Sequence, residues 1–200
     1  MSAPIVIDGK GHVQGKLAAA IAKQLLKGRR VVVVRCEEII LNGSHRFVHH
    51  QYAHFLNKTT NTNPRHGPFH QRAPSEIFTR AVRGMLPYRT TRGLRAFENL
   101  KAFEGIPPQY AVVKRLIVPH ALRVITIRNE LPTTKLGKLS TTYGWKYGGI
   151  VSQIEGTRKA ESAEYHAKKV ADAERRARAV EAANKQLGEK AVRFIENFQE

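Results

Sequence analysis

Four consecutive valines, Val31–Val34, constrain this chain more than any other feature. A strand with one wet face alternates apolar and polar residues. An unbroken β-branched run is a strand covered on both faces. Ahead of it, Leu17, Ala18, Ile21, Ala22, Leu25 and Leu26 repeat with helical spacing, and Gly28 stands where a helix stops. Ile5–Ile7 reads as a first strand that turns at Asp8-Gly9, and Ile39–Leu41 as a further one. Strand, helix and strand within about thirty residues make a βαβ unit. The expectation is an α/β protein: three layers, α/β/α, around a mainly parallel central sheet.

The turn Gly9-Lys10-Gly11-His12-Val13-Gln14-Gly15-Lys16 has the glycines and lysine of a phosphate loop but not the spacing. Gly9 is one residue too far from Gly15-Lys16, and Leu17 stands where a magnesium-binding hydroxyl belongs. Nucleotide hydrolysis is not expected. Lys10 and Lys16 remain candidates for phosphate contacts near a helix start.

The densest chemistry lies in Pro64–Arg95, which carries Arg65, Arg72, Arg80, Arg83, Arg89, Arg92 and Arg95 against a single acid, Glu76. Prolines and glycines break it into loop, with one short helix inside. Pro74 favours an extended Ala73, Ser75 reads as the N-cap, and Glu76 suits the helix dipole. Ile77, Phe78, Ala81, Val82 and Met85 form its apolar face. Arg80 and Arg83 point together away from that face, and Gly84 and Pro87 end the helix. A solvated basic helix is the bland alternative, but the arginines continue through both flanking loops. The planar guanidinium fork meets phosphate in a bidentate way and stacks on bases.

Charge supports that reading. The formal net charge is +18, which argues for nucleic acid or an anionic membrane surface as partner and says nothing of fold. Residues 1–154 hold 24 Lys and Arg against 7 Asp and Glu, whereas residues 155–200 hold 10 against 9. The work of meeting a polyanion therefore belongs mainly to the first three quarters. Cys36 is the single cysteine, so a disulfide or thiolate metal cluster is not expected, and no cofactor or metal is implied. No run of eighteen apolar residues and no secretory leader is present, so a soluble intracellular protein without a membrane partner is expected.

Between Asn42 and Asn63 the chain is polar and rich in histidine. His45, His49, His50, His54, His66 and His70 have almost no acid nearby, which favours packing, hydrogen bonds or base contacts over a metal site. Phe47, Tyr52, Phe55 and Phe69 interleave with bases, and Tyr52 reads as packed. After the arginine segment, Leu94, Phe97 and Leu100 mark a second short helix decorated by Arg92, Arg95 and Lys101. Leu122, Val124, Ile125 and Ile127 read as another strand, and Trp145 as a core plug before a stack on RNA. The candidate RNA-binding residues are Lys10, Lys16, Arg46, Lys58, Arg65, His66, His70, Arg72, Arg80, Arg83, Arg89, Arg92, Arg95, Lys101, Lys114, Arg115, Lys138 and Lys146. No catalytic set is legible, because Asp8, Glu76, Glu98, Glu104 and Glu130 are scattered.

The expected organisation is a globular RNA-binding domain over residues 1–151 and a C-terminal helical extension over 152–200. The extension is rich in alanine, with Glu164–Lys168, Asp172–Arg176 and Glu181–Lys185 at i,i+4 and Gly188 as a candidate break. Leu187, Ile195 and Phe198 are its candidate docking points, and Arg175, Arg176 and Arg178 its one basic cluster.

GPFHQRAPSEIF, VRGMLPYRTTRG and EGIPPQY, with VQGKLAAAIAKQLLKGRRVVVVRCE and YGWKYGG, resemble the eukaryotic branch of ribosomal protein thirteen of the large subunit. The likeness covers roughly Ile5 to Ser152. Lys16 stands where arginine is more usual in that family, keeping the charge without the fork. The resemblance implies a structural protein that binds and stabilises large-subunit ribosomal RNA during assembly and in the mature ribosome. It implies the cytosolic ribosome as its location, with a nucleolar or nuclear stage in assembly. Neighbouring large-subunit proteins are the other expected partners, with the C-terminal helix as the candidate contact, and no self-oligomer is required. The alternatives are an RNA- or nucleotide-processing enzyme and a basic adaptor with an extra-ribosomal role.

Overall fold

A computed structural model describes residues 3–196, with side chains through residue 185. In chain order it runs β1 (Ile5–Asp8), α1 (Gln14–Leu26), β2 (Val31–Val34), β3 (Ile40–Asn42), α2 (His45–Leu56), α3 (Pro74–Gly84), α4 (Thr91–Glu98), β4 (Leu100–Ala102), α5 (Pro108–Ala111), α6 (Arg123–Thr126), β5 (Thr133–Lys135), α7 (Leu136–Thr142) and α8 (Gly148–Glu196). It is a mixed α/β fold with a small, mainly parallel sheet flanked by helices and a long C-terminal helix. The chain divides into a unit ending at Gln153 and a second beginning at Ile154.

The valine run is the centre of a parallel sheet of order β1-β2-β4, with Ile5 and Leu100 both in register with Val31. Its two faces go to two cores. Ile7, Val31 and Val33 pack with Leu17, Ile21 and Leu25 of α1 and Phe78 and Val82 of α3. Val6, Val32 and Val34 are covered by Ile106, Phe103 and Tyr110, the last on the short α5. Both faces being dry explains why the strand never alternates, and each buried valine contributes roughly 1.5–3 kcal/mol. Gly28 stops α1 in the left-handed region at φ +78°, with its N–H on the Leu25 carbonyl. Among the described residues no helix is long and apolar enough to cross a membrane.

Several readings from sequence are corrected. Leu100 belongs to β4, not to a helix, and Lys101 with it; Asn99 ends α4 just before. The strand beginning at Ile40 pairs antiparallel with β5 in a separate two-stranded sheet. Leu122–Ile127 is no strand. Its backbone closes locally, with Thr126 and Ile127 N–H on the Leu122 and Arg123 carbonyls, and Val124 and Ile125 stay exposed with no partner strand. β-branching favours a strand only where a sheet edge receives it. Met85 leaves the apolar face of α3 because the helix ends at Gly84, and Leu86 is buried in its place.

α8 starts at Gly148, ahead of the expected boundary, and runs through Gly188 without a break. One glycine costs about 1 kcal/mol in a helix, too little to stop one. Among the described residues its ion pairs are Glu155–Arg158 and Asp172–Arg175 at i,i+3 and Glu174–Arg178 at i,i+4, rather than the three pairs expected. Arg175 and Arg178 are thus engaged within the helix. The side chains of Leu187 and Ile195, and Phe198 altogether, lie outside the described residues.

The glycine turn after β1 is built for packing. A side chain at Gly9 would lie 3.0 Å from the Val34 and Arg35 carbonyls. The N–H groups of residues 9–13 already donate to Val34, the Asp8 carboxylate, Glu38, Gly9 and Ala121. None of those donors remains to cradle a phosphate, as the spacing argument anticipated. Arg35, left-handed at φ 56°, folds its guanidinium onto Asp8 and ties the ends of β1 and β2 together. Burial alone would raise the Asp8 carboxyl, but Arg35 and the Lys10 N–H outweigh it and hold it below its ordinary value.

His12 is fully buried in this turn. Its Nε2 accepts from the Val118 N–H at 3.0 Å, so the ring proton sits on Nδ1 and donates to the Lys10 carbonyl at 3.1 Å. Burial pushes its pKa below 6.5, against the opposing pull of the Lys10 and Gly9 carbonyls and Asp8. A depressed histidine adds stability above its unfolded pKa and loses it as pH falls through the folded value. Thermal melts should therefore show wild type losing stability below about pH 6.5 more steeply than His12→Gln. At pH 7.5 His12→Ala should cost about 2–4 kcal/mol, since it strands a buried donor and acceptor. Parallel pH curves for wild type and His12→Gln would refute the assignment.

Candidate nucleic-acid interface

The arginine segment is pinned to the body at both ends of α3. Pro74 fills the first helical position, where its missing N–H is not needed. The N-cap is Ala73 rather than Ser75. Ser75 is buried, and both its hydroxyl (2.5 Å) and its N–H (3.2 Å) donate to Glu104. A carboxylate from the loop after β4 thus satisfies the first turn in place of a local cap. At the other end Leu86 is buried, and Thr90 caps α4 by accepting from the Gly93 N–H.

A chain of rings then holds the loop before α3. The Tyr52 hydroxyl donates to the Gln71 carbonyl, and the Tyr143 hydroxyl donates to the His49 carbonyl at 2.6 Å. Tyr143 stacks on His49 at 4.8 Å and meets Tyr52 at 4.9 Å, and Phe55 meets His70 edge to face at 4.7 Å. Arg80 lies over Phe55, 3.5 Å from the ring centroid, and Arg83 faces Tyr88 at 5.3 Å. His45, His49 and His70 are half-buried, the last two against these rings, whereas His50, His54 and His66 are exposed, the first two in contact at 3.2 Å. Among the described residues no group of three His, Cys, Asp or Glu side chains could hold a metal. Trp145 is buried, whereas Phe47, Phe69 and Tyr147 are exposed.

The expected basic residues fall into two sets. Lys10, Lys16, Arg46, Lys58, Arg65, His66, Arg72, Arg83, Arg89, Arg92, Arg95, Lys101, Lys114, Lys138 and Lys146 are exposed. Arg80, His70 and Arg115 are half-buried, and Arg115 donates to the Ala111 carbonyl at 3.0 Å. Burial, then Arg83, pushes the Arg80 guanidinium below its ordinary pKa, with Tyr52 pulling the other way. Among the described residues none of the seven arginines of Pro64–Arg95 has a carboxylate within 4.0 Å. Four of the seven acids of residues 1–154 are held elsewhere: Asp8 on Arg35, Glu38 on Lys135, Glu104 on Ser75, and Glu37 on the Gly105 N–H. Sequence reasoning passed over Lys27, Arg29 and Arg30, exposed at the turn between α1 and β2. Their signal was three bases in four residues.

A sequence model described as Ribosomal protein L13 matches residues 2–109, more than half of the chain. The chain belongs to the ribosomal protein L13 family. The large ribosomal subunit protein uL13 of Dictyostelium discoideum is 50% identical over 164 residues, 82% of this chain and 88% of that protein. The uL13 of Tetrahymena thermophila is 47% identical over 191 residues, 95% of this chain and 96% of its own. The L13 match takes in the valine sheet, the ring cluster on α2 and the whole arginine segment. In this L13 chain, then, the seven arginines are carried on loops and helices between α2 and α4 that Tyr52, Phe55, Ser75 and Leu86 anchor to the body.

Proposed function

We propose that the surface centred on Arg65–Arg95 binds large-subunit ribosomal RNA and that the sheet exists to hold its loops at fixed spacing. Membership of the L13 family makes this chain a structural, RNA-binding component of the large subunit in the cytoplasmic ribosome, and not an enzyme. One observation carries the location of the surface: seven arginines without a carboxylate partner among the described residues. Guanidinium groups without an internal counter-charge break no ion pair on meeting phosphates, and they release the counterions condensed there. Lys10, Lys16, Arg46, Lys58, His66, Lys101, Lys114, Arg115, Lys138 and Lys146 extend the surface around this centre.

We further infer that residues 152–200 work as a separate extension that meets neighbouring large-subunit proteins. Its charge nearly cancels, and Tyr165, Val170 and Val180 are exposed on it. The same reading includes a nucleolar stage in assembly. The test is sedimentation of the tagged full-length protein in cell extract. It should run with the large subunit and leave only at high salt or after RNase. A chain truncated after Ser152 should still bind the particle's RNA but dissociate at lower salt. A full-length pool confined to the post-ribosomal fraction would overturn the RNA reading, and loss of all RNA affinity on truncation would overturn the division of labour.

A further inference from the structure

Between α2 and α3 lies an open groove of about 530 Å³. Val48, Ile77, Ala81 and Leu139 give it an apolar lining, and Gln51 and Gln71 bring amides to it. Arg80 and Arg83 reach the same groove, with Tyr52, Phe55 and Tyr88 beside them. An apolar slot favours a flat, weakly polar body, and the two cations beside it lack an acid within 4.0 Å among the described residues. Arg80 is also half-buried and already stacked on Phe55, so its outer face is a ready platform for a second planar ring.

We propose that this groove seats a single unstacked nucleotide of the bound RNA. The base enters the apolar slot and stacks on Arg80. Its edge meets the Gln51 and Gln71 amides, and the adjoining phosphates lie against Arg80 and Arg83. Base-specific recognition of RNA works this way, on splayed nucleotides rather than on the closed A-form helix. Charge complementarity chooses the occupant: an apolar protein anchor would leave both guanidinium groups without a counter-charge in a partly dry site. The proposal rests on the RNA-binding reading and names the subsite within it.

The test uses the full-length chain and two RNA duplexes, one carrying a single bulged 2-aminopurine and one without the bulge. The bulged duplex should bind about tenfold more tightly, as expected for one stacked base, and its fluorescence should be quenched. Ala81→Phe, which fills the slot with every arginine kept, should bring the two affinities within about twofold while leaving the plain duplex unchanged. Tyr88→Ala, at the exposed rim, supplies a second variant that leaves the helix packing alone, and it should lose part of the preference. Failure to bind either duplex would sink the RNA reading itself. Equal binding of both by wild type, or a preference and quench that survive in both variants, would overturn the groove alone. So would variants that keep bulge binding yet fail to enter particles, since the groove would then be a protein contact.

Discussion

Replacing Arg72, Arg80, Arg83, Arg89 and Arg92 together by glutamine should lower affinity for large-subunit RNA by at least about a hundredfold at moderate salt. Incorporation into large-subunit particles should fall with it. Four of the five are exposed and none has a carboxylate partner among the described residues, so their loss breaks no ion pair in the free protein. Arg80 gives up its stack on Phe55, worth about 0.5–2 kcal/mol, which a folded domain tolerates. The salt dependence is the sharper reading. Each neutralised phosphate adds about 0.7–0.9 to the slope of log affinity against log salt, so losing five such contacts should make the variant's slope shallower by roughly 3.5 to 4.5. Wild-type affinity and normal incorporation in this variant would place the interface elsewhere. Reduced affinity with an unchanged slope would mean that the arginines act by shape rather than by charge.

The sequence disclosed the centre of this fold and the composition of its surface, each for a physical reason. Val31–Val34 announced a central strand because burial on both faces removes alternation, and Val6, Val32 and Val34 do face one core while Val31 and Val33 face another. β4 stayed hidden because Leu100-Lys101-Ala102 is too short for a period, and its place is set by the Val31 N–H on the Asn99 carbonyl and its ladder with β2. The Val124–Ile125 pair misled for the opposite cause: local propensity was present, and no sheet edge was there to receive it.

The arginine surface was legible as density, since seven bases against one acid need no coordinates. What supports it was not. Tyr143 braces His49 across 94 residues of chain, and Glu104 caps a helix that begins 30 residues earlier, at Pro74. Long-range partners of this kind leave no periodic trace. The same holds for the acids: their scatter along the chain conceals that Asp8, Glu37, Glu38 and Glu104 are each held by a group of the body itself.

Gly93→Ala should be severely destabilising. A Cβ at this position would stand 2.0 Å from the Pro87 carbonyl oxygen, 2.4 Å from its carbon and 3.0 Å from the Tyr88 nitrogen. All three are backbone atoms, so no side-chain rotation makes room. The corner cannot yield cheaply either. The Pro87 carbonyl accepts both the Thr90 N–H (2.9 Å) and the Thr90 hydroxyl (2.8 Å), and Thr90 in turn caps Gly93 at 3.2 Å. Moving the loop draws buried Leu86 outward, and moving α4 draws out buried Ala96. Overpacking of this severity should cost about 3 kcal/mol or more, a drop of roughly 6–12 °C in Tm for a chain of this length. RNA affinity should fall further than the residual unfolded fraction explains, because the displaced corner carries Arg89 on one side and Arg92 and Arg95 on the other. Gly84→Ala is the matched control. Its Cβ meets nothing within 4 Å at the end of α3, so it should melt at or slightly above wild type. A Gly93→Ala protein that melts with wild type and binds RNA equally well would show that α4 and the arginine loop are not locked together at this point.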